Sequence, residues 1–236
     1  SPWHRSYLAE RYGQSVDAKK IRIIPLGIKK DMFQFFTGVR DPLRCIYTSN
    51  PDRGLWQLMN MWPEISKRIP GVNLKIAYGF QGLRTWSPEK AREADEQEPK
   101  LLNWAKEMGN VEFLGRLKKA DLYQALACSS LLTFSCNFFE TYCLSIPEAN
   151  AAGVPAITSD FGALSSHNRN SNIFIPGDPF SPEYQRKFMN KVASLLENQD
   201  NLGNLRNKCL EYISGTPCDW GDIAKVWEQA IYKERK

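Results

Sequence analysis

Two carboxylates, Glu140 and Glu148, lie eight residues apart around a loop that leads into a short helix predicted to begin near Ser145. An apolar run over residues 131–135 predicts a buried strand before the loop, and residues 156–159 predict another strand after the helix. A helix N-terminus offers free N–H groups and a partial positive charge, which suit a phosphate. A carboxylate in the first turn can accept hydrogen bonds from sugar hydroxyls beside that phosphate. The spacing therefore fits a site for a sugar nucleotide.

A purely structural interpretation of the same residues stays open. Ser145-x-x-Glu148 fits a capping box, Pro147 is tolerated in a first turn, and Gly153 can end the helix. In that interpretation Glu148 only caps the helix and Glu140 is a solvated loop charge. Capping boxes are common, so spacing alone favours this interpretation.

The stretch over residues 138–155 resembles the Glu-x7-Glu motif of retaining GT-B glycosyltransferases, in particular glycosyltransferase family 4. The resemblance implies that Glu140 contacts hydroxyls of the donor sugar and is the catalytic candidate, and that Glu148 holds the ribose. It also implies that backbone amides of the loop between them bind the diphosphate. Many members carry Gly in this loop, but an amide serves whatever its side chain. The loop residues concerned are Thr141, Tyr142, Cys143 and Leu144.

A second candidate phosphate contact lies in the loop over residues 49–54, which follows a predicted strand. Arg53 stands directly before Gly54, where the family usually has two basic residues that clamp the diphosphate. The second basic residue is missing, and Ser49 or Asn50 lies near its place. A surface charge in an ordinary turn is the alternative for Arg53.

Two further loops supply candidates for binding the nucleotide. Gly79 ends the strand predicted over residues 72–78. Arg116 and Leu117 follow the strand predicted over residues 111–115, and in the family the backbone at this point holds the base. An ordinary strand–helix turn is an equally good interpretation of the latter pair.

The alternation of strands and helices with short connections predicts an α/β fold with a doubly wound, Rossmann-like parallel sheet. Ligands bind at the carboxyl ends of strands in such sheets, so the loops after the strands should share one site. The polar run over residues 80–99 is expected to be a loop or exposed helix, and His167 is assigned no chemistry. Strands are predicted at 20–27, 43–48, 72–78, 111–115, 131–135, 156–159 and 172–175, and helices at 3–12, 55–69 (with a kink or break at Pro63), 100–108, 120–128, 145–152, 181–197, 200–213 and 219–234.

The resemblance covers residues 20–232 and implies two parts. Residues 1–19 are expected to be a helix and linker from a missing acceptor domain, with residues 34–42 a polar linker. Residues 20–236 are expected to be the donor-binding domain with C-terminal helices, the C-terminal half of a GT-B fold. An N-terminal acceptor-binding domain, in the same or another chain, is the expected partner. One of the tryptophans on the last helix, Trp220 and Trp227, is expected to be exposed.

Composition excludes several other classes. Hydrophobic residues make up 42% and charged residues 24% of the 236 residues, which is ordinary for a soluble globular protein. The net charge of +5 suits an anionic ligand but is too diffuse to indicate nucleic acid. We expect no transmembrane segment. The six cysteines lack Cys-x-x-Cys spacing. Cys45, Cys128 and Cys136 lie in or beside apolar segments and are expected to be reduced core residues, which favours the cytoplasm.

Motifs for other cofactors are missing from the sequence. No Asp-x-Asp occurs, so no metal is expected, and neither a Gly-x-Gly-x-x-Gly nor a Walker lysine motif is present. Hydrolysis by paired carboxylates is disfavoured, because a capping Glu148 would point away from a cleft. The resemblance implies a transferase that moves a hexose-like sugar from a nucleoside diphosphate with retention, and the missing Asp-x-Asp predicts that it needs no metal. The alternatives are a non-catalytic nucleotide-sugar-binding module and a domain of this fold without a ligand.

Overall fold

The computed structural model describes residues 1–13, 15, 17–36 and 38–233. Six parallel strands form one sheet in the order β3-β2-β1-β4-β5-β6, which confirms the predicted doubly wound α/β class. The strands are β1 (Arg44–Tyr47), β2 (Asn73–Ala77), β3 (Val111–Gly115), β4 (Leu131–Phe134), β5 (Ala156–Ser159) and β6 (Ile173–Ile175).

Helices lie around this sheet, and those between Leu55 and Gly215 contribute residues to its core. Every residue of β4 and β5 is buried, as expected for central strands covered on both faces. The α-helices are α1 (Pro2–Tyr12), α2 (Leu55–Arg68), α3 (Gln81–Arg84), α4 (Pro88–Met108), α5 (Lys119–Ala127), α6 (Ser145–Ala151), α7 (Pro182–Glu197), α8 (Gln199–Gly215) and α9 (Trp220–Lys233), and 3₁₀ turns occur at Ala18–Lys20, Lys30–Phe35 and Gly162–Ser166.

The strand order reverses between β1 and β4, which are adjacent in the sheet although β2 and β3 separate them in sequence. At such a switch point, the loops after the two central strands turn in opposite directions and leave a crevice at the carboxyl edge. The loop from β1 to α2 and the loop from β4 to α6 therefore flank the place where a ligand is expected. These are the loops that carry Arg53 and Glu140.

The strand predicted over residues 20–27 is wrong. Lys20 ends a 3₁₀ turn, residues 21–27 pair with no strand of the sheet, and an isolated bridge joins Ile28 to Asp219. Pro25 has no N–H to donate to a ladder. Gly27 packs against Trp220, so close that a Cβ built on it would lie 2.7 Å from the indole. The end of the segment therefore packs against the start of α9, and the segment does not join the sheet.

The run over residues 80–99, predicted as a loop or exposed helix, is mostly helical: residues 81–84 form α3 and residues 88–99 begin α4. The helix predicted at 100–108 is not separate, because these residues continue α4, which is one helix of 21 residues. The Ser87 hydroxyl accepts from the Lys90 amide to cap its start, and Gly109, with φ +69°, ends it. Pro63 likewise lies inside α2 without dividing it.

Two expectations concern the ends of the chain and the linkers. Trp220 and Trp227 of α9 are both exposed, at 46% and 53%, where one exposed tryptophan was expected. Parts of the predicted segments 1–19, 34–42, 219–234 and 20–236 lie outside the described residues. Among the helices that the structure does describe, none is long and apolar enough to cross a membrane.

Candidate functional site

A cavity of about 420 Å³ opens at the carboxyl edge of the sheet, at the switch point between β1 and β4. The loop after β1, the loop after β4 and the starts of α5 and α6 form its walls. The loops over residues 49–54 and 136–145 thus meet at one cavity as predicted, whereas the predicted loops at 79–82 and 115–118 do not line it. Its lining residues are Leu26, Thr48, Ser49, Asn50, Arg53, Tyr78, Lys119, Leu122, Glu140, Thr141, Tyr142, Cys143, Leu144, Ser145 and Glu148.

Glu140 and Arg53 form an ion pair on one side of the cavity. Nη1 of Arg53 donates to Oε1 of Glu140 at 2.5 Å, and the guanidinium lies 4.0 Å from the centre of the Phe138 ring. Burial lowers the pKa of Arg53, but the hydrogen bond and the charge of Glu140 outweigh burial, so the pKa is raised. Arg53 is therefore a permanent cation that a buried carboxylate orients.

Glu148 lies at the other side of the cavity and is paired as well. Its Oε1 accepts a hydrogen bond from Nζ of Lys119 and a second, at 3.1 Å, from the Tyr123 hydroxyl. Glu148 is only 5% exposed, and Tyr123 is 3% exposed. A carboxylate this deeply buried needs such partners, because an unpaired buried charge is costly.

The predicted capping box is wrong. Leu144 precedes the first helical residue of α6 without a side-chain cap, and the Ser145 hydroxyl donates instead to the Thr48 carbonyl at 3.0 Å. Ser145 already has helical geometry and faces the loop after β1, so its hydroxyl ties the two central loops together. Glu148 is thereby free to face the cavity, which removes the argument that it points away from a cleft.

The loop between the two carboxylates is held from three directions. The Thr141 carbonyl accepts from the Ser1 hydroxyl at 2.8 Å, the Tyr142 hydroxyl donates to the Leu26 carbonyl at 3.2 Å, and the Tyr142 carbonyl lies 2.6 Å from Nε2 of His167. Cys143 has a left-handed φ of +71°, a conformation that glycine adopts more readily. The loop thus keeps a glycine-like backbone without a glycine.

His167, to which the sequence assigned no chemistry, has a structural role behind the site. It is half-buried behind the loop, and burial lowers its pKa. A neutral ring with the proton on Nε2 donates to the Tyr142 carbonyl in this geometry. His167 therefore supports the site from behind and does not line the cavity.

The other predicted binding residues lie next to the cavity or behind it. Arg116 and Leu117 line an adjoining cavity of about 280 Å³, which shares Tyr78, Lys119 and Leu122 with the first. Gly54 and Gly79 line neither cavity.

Gly54 has φ +102°, and a Cβ built on it would lie 1.8 Å from the Ser135 carbonyl oxygen. This glycine is thus needed so that the turn carrying Arg53 can approach the end of β4. A Cβ on Gly79 would meet the Gln81 side chain at 2.5 Å.

Sequence reasoning missed Lys119 and Tyr123. The two are four residues apart at the start of α5, so they share one face of that helix. That face points at Glu148, a contact 25 residues apart in sequence for Tyr123 and 29 for Lys119. The signal in the sequence was a Lys and a Tyr on one face of the helix after β3, but nothing in it showed which face meets α6.

Known proteins of similar structure are glycosyltransferases with the GT-B fold. The pneumococcal O-GlcNAc transferase GtfA is 15% identical to this chain, with a TM-score of 0.70. The match covers 99% of this chain and 44% of the GtfA chain. HepE from Anabaena is 16% identical with a TM-score of 0.72, covering 94% and 59%. A sucrose-phosphate synthase from Thermosynechococcus elongatus is 18% identical with a TM-score of 0.75, covering 99% and 56%. The chain thus spans about half the length of these proteins, and at such identities the likeness shows the fold.

Comparison of sequences gives a more specific result. No curated protein sequence matches this chain significantly. The family model described as "Glycosyl transferases group 1" matches residues 48–214, which is more than half of the chain and includes both central loops of the cavity. By this match, the chain belongs to the group 1 glycosyl transferases.

Proposed function

We propose that this chain binds a nucleoside-diphosphate sugar in the cavity at the switch point and transfers the sugar with retention, as in glycosyltransferase family 4. The observation that carries the proposal is that the cavity brings together both carboxylates of the Glu-x7-Glu pattern and two cations, Arg53 and Lys119. A sugar nucleotide combines hydroxyl donors with a diphosphate. Carboxylates and cations side by side are complementary to both.

The proposed roles follow the order of groups along the donor. Glu140 accepts hydrogen bonds from the sugar hydroxyls and is the catalytic candidate, whereas Glu148 accepts from the ribose. The backbone amides over residues 141–144, together with Arg53, bind the diphosphate. The base lies in the adjoining cavity beside Arg116 and Leu117, which opens from the first cavity at Tyr78 and Lys119.

Departure of the sugar leaves a nucleoside diphosphate whose negative charge must be balanced. We propose that Arg53 and Lys119 balance it without a metal. Helix α6 has only seven residues, so its dipole is a weak contribution beside two full charges. Lys119 thus takes the part of the second basic residue that the loop after β1 lacks.

The solved structures suggest which base and sugar to test first, and the length of the chain bears on where the acceptor binds. The GtfA structure contains UDP and GlcNAc and a HepE structure contains UDP-glucose, which supports uridine donors carrying a hexose as the first to test. Because the chain spans about half of its structural relatives, we propose that an N-terminal acceptor-binding domain, in the same or another chain, completes the site. All six cysteines are free thiols, which supports the cytoplasm as its location.

A non-catalytic nucleotide-sugar-binding module is the second candidate. The loop after β1 favours it, because it carries only one of the two basic residues that are usual in the family. Turnover separates the candidates. Release of nucleoside diphosphate from UDP-glucose or UDP-GlcNAc, lost in Glu140→Gln, would support the transferase. Binding of the donor without any release, with or without added acceptor domain, would favour the module.

A panel of nucleotides tests the site itself. UDP, GDP, ADP, TDP and their common sugar conjugates should differ in the melting temperature shift that each produces. A ligand at 100 times its dissociation constant adds about 2.7 kcal/mol to the free energy of unfolding. We expect a shift for one base that is larger for one conjugate. Absence of any shift would contradict the proposal.

A further inference from the structure

The two hydrogen bonds to Glu148 reach the same atom. Both Nζ of Lys119 and the hydroxyl of Tyr123 donate to Oε1. The other oxygen, Oε2, has no hydrogen-bond partner among the residues that the structure describes, although the side chain is buried and lines the cavity. A carboxylate oxygen can accept about two hydrogen bonds, so Oε2 can accept hydrogen bonds from a ligand in the cavity.

Tyr123 is itself fixed in place. Its ring is stacked on Phe33 with 4.3 Å between the ring centres and 24° between the planes, and it is 3% exposed. Its hydroxyl therefore has little freedom to leave Glu148. Lys119, in contrast, is more than half exposed at its side chain, so solvent competes with its ion pair.

We infer that Tyr123 is a positioning residue of the donor site, which fixes the Glu148 carboxylate through Oε1 so that Oε2 accepts the ribose hydroxyls of a nucleoside diphosphate. The inference rests on the proposed function. Preorganisation of this kind raises affinity, because the ligand does not have to order the carboxylate on binding. It acts on the ribose hydroxyls alone, so it should discriminate a ribonucleotide from an analogue without them.

The test compares Tyr123→Phe, Glu148→Gln and the double variant with the wild-type chain. Tyr123→Phe keeps the ring on Phe33 and removes only the hydroxyl. The ligands are whichever of UDP, GDP and ADP binds most tightly, and the 2′,3′-dideoxy form of the same nucleotide. Tyr184→Phe is the matched control, because Tyr184 is another buried tyrosine that stacks on a phenylalanine, Phe188, but lies on α7 outside the cavity.

Calorimetric titration gives the expected pattern. Tyr123→Phe should weaken the ribonucleotide about ten-fold and leave the dideoxy analogue within about two-fold, the size expected for one hydrogen bond that orients a charged acceptor. In the Glu148→Gln background, the same change should have no further effect, because the carboxylate that it positions is gone. Tyr184→Phe should change neither affinity.

Other results would overturn the inference in distinguishable ways. Equal weakening of both ligands would make Tyr123 merely structural. Weakening by Glu148→Gln but not by Tyr123→Phe would overturn the inference and leave the proposed function standing. Failure of UDP, GDP and ADP alike to bind to the wild-type chain would overturn both.

Discussion

Each candidate carboxylate of the site is paired with a cation from a different element, and this arrangement decides what the residues can do. Glu140 meets Arg53 of the loop after β1, and Glu148 meets Lys119 of α5. Each pair balances the charge of one carboxylate at the wall of the cavity. A diphosphate in the cavity would compete for the two cations, and sugar hydroxyls would compete for the two carboxylates. One sugar nucleotide could thus give each member of both ion pairs a new partner.

The left-handed backbone at Cys143 leads to a testable prediction about the stability of the loop between the carboxylates. Cys143→Gly and Cys143→Ala both remove the same buried thiol, but only glycine adopts φ +71° without strain. We expect the glycine variant to be more stable than the alanine variant by about 1 kcal/mol in the free energy of unfolding. Urea denaturation measures this difference. An alanine variant as stable as the glycine variant would show that the loop has another backbone conformation.

His167 predicts a pH dependence of stability. Burial lowers its pKa in the folded chain below the ordinary value of 6.5, so the unfolded chain binds more protons as the pH falls. The stabilisation is complete above the ordinary histidine pKa and is lost as the pH falls from 6.5 toward the lowered value. The steepest possible slope is about 1.4 kcal/mol per pH unit.

His167→Gln isolates this contribution, because a glutamine amide can still donate to the Tyr142 carbonyl. We expect the drop in the free energy of unfolding between pH 7.5 and pH 5.5 to be larger in the wild-type chain than in the variant, measured by urea denaturation at both pH values. Equal drops in the two chains would argue against a buried neutral imidazole. A larger drop in the variant would reverse the sign and exclude it.

At the scale of elements, the site depends on how closely the loop after β1 approaches the end of β4. Gly54 forms that contact, because any Cβ there would overlap the Ser135 carbonyl oxygen. Gly54→Ala should therefore destabilise the chain by about 3 kcal/mol or more and weaken nucleotide binding by displacing Arg53.

Gly203 provides the matched control for Gly54. It lies inside α8 with open space around its Cβ position, so Gly203→Ala should stabilise the chain by about 0.5 to 1 kcal/mol. Thermal and urea unfolding of both variants measures the contrast. A Gly54→Ala chain as stable as the wild type would contradict the close approach.

The sequence predicts most elements of the sheet but not the contacts between them. Period, apolar runs and turn residues locate β1 to β6, because these are local signals. The apolar segment before Ile28 has the same local signal, yet it does not join the sheet, since Pro25 cannot donate to a ladder and Gly27 packs on Trp220 at the start of α9. The local sequence pattern predicts that a segment is extended and apolar, but it does not predict which element the segment packs against.

The same limit applies to the site. Alternation of strands and loops was enough to place Arg53, Glu140 and Glu148 at one edge of the sheet. It could not identify the partners of Glu148, because the contact depends on the rotation of α5 against α6. The capping box failed for a related reason: Ser145 finds a tertiary acceptor, the Thr48 carbonyl, which no local motif encodes.

At the scale of the whole molecule, one parallel sheet and its flanking helices build a cavity at the switch point from loops that are far apart in the sequence. The family match assigns this chain to the group 1 glycosyl transferases. The apolar face of α9 with Trp220 and Trp227 remains exposed on the same molecule. Because this chain forms the cavity by itself, donor binding can be measured on it directly, and turnover is measured separately.

The central claim is that the Glu148 carboxylate holds the donor. Calorimetric titration of UDP-glucose and UDP-GlcNAc into the wild-type chain and into the Glu148→Gln variant tests it most directly. Glu112→Gln is the matched control, because Glu112 also pairs with a lysine, Lys75, but on the exposed side of β3 outside the cavity. We predict that Glu148→Gln weakens binding of the better donor at least about ten-fold, while the melting temperature falls by only a few degrees and Glu112→Gln binds as the wild type does. Equal affinity of the wild-type and Glu148→Gln chains would contradict the claim that this carboxylate holds the donor.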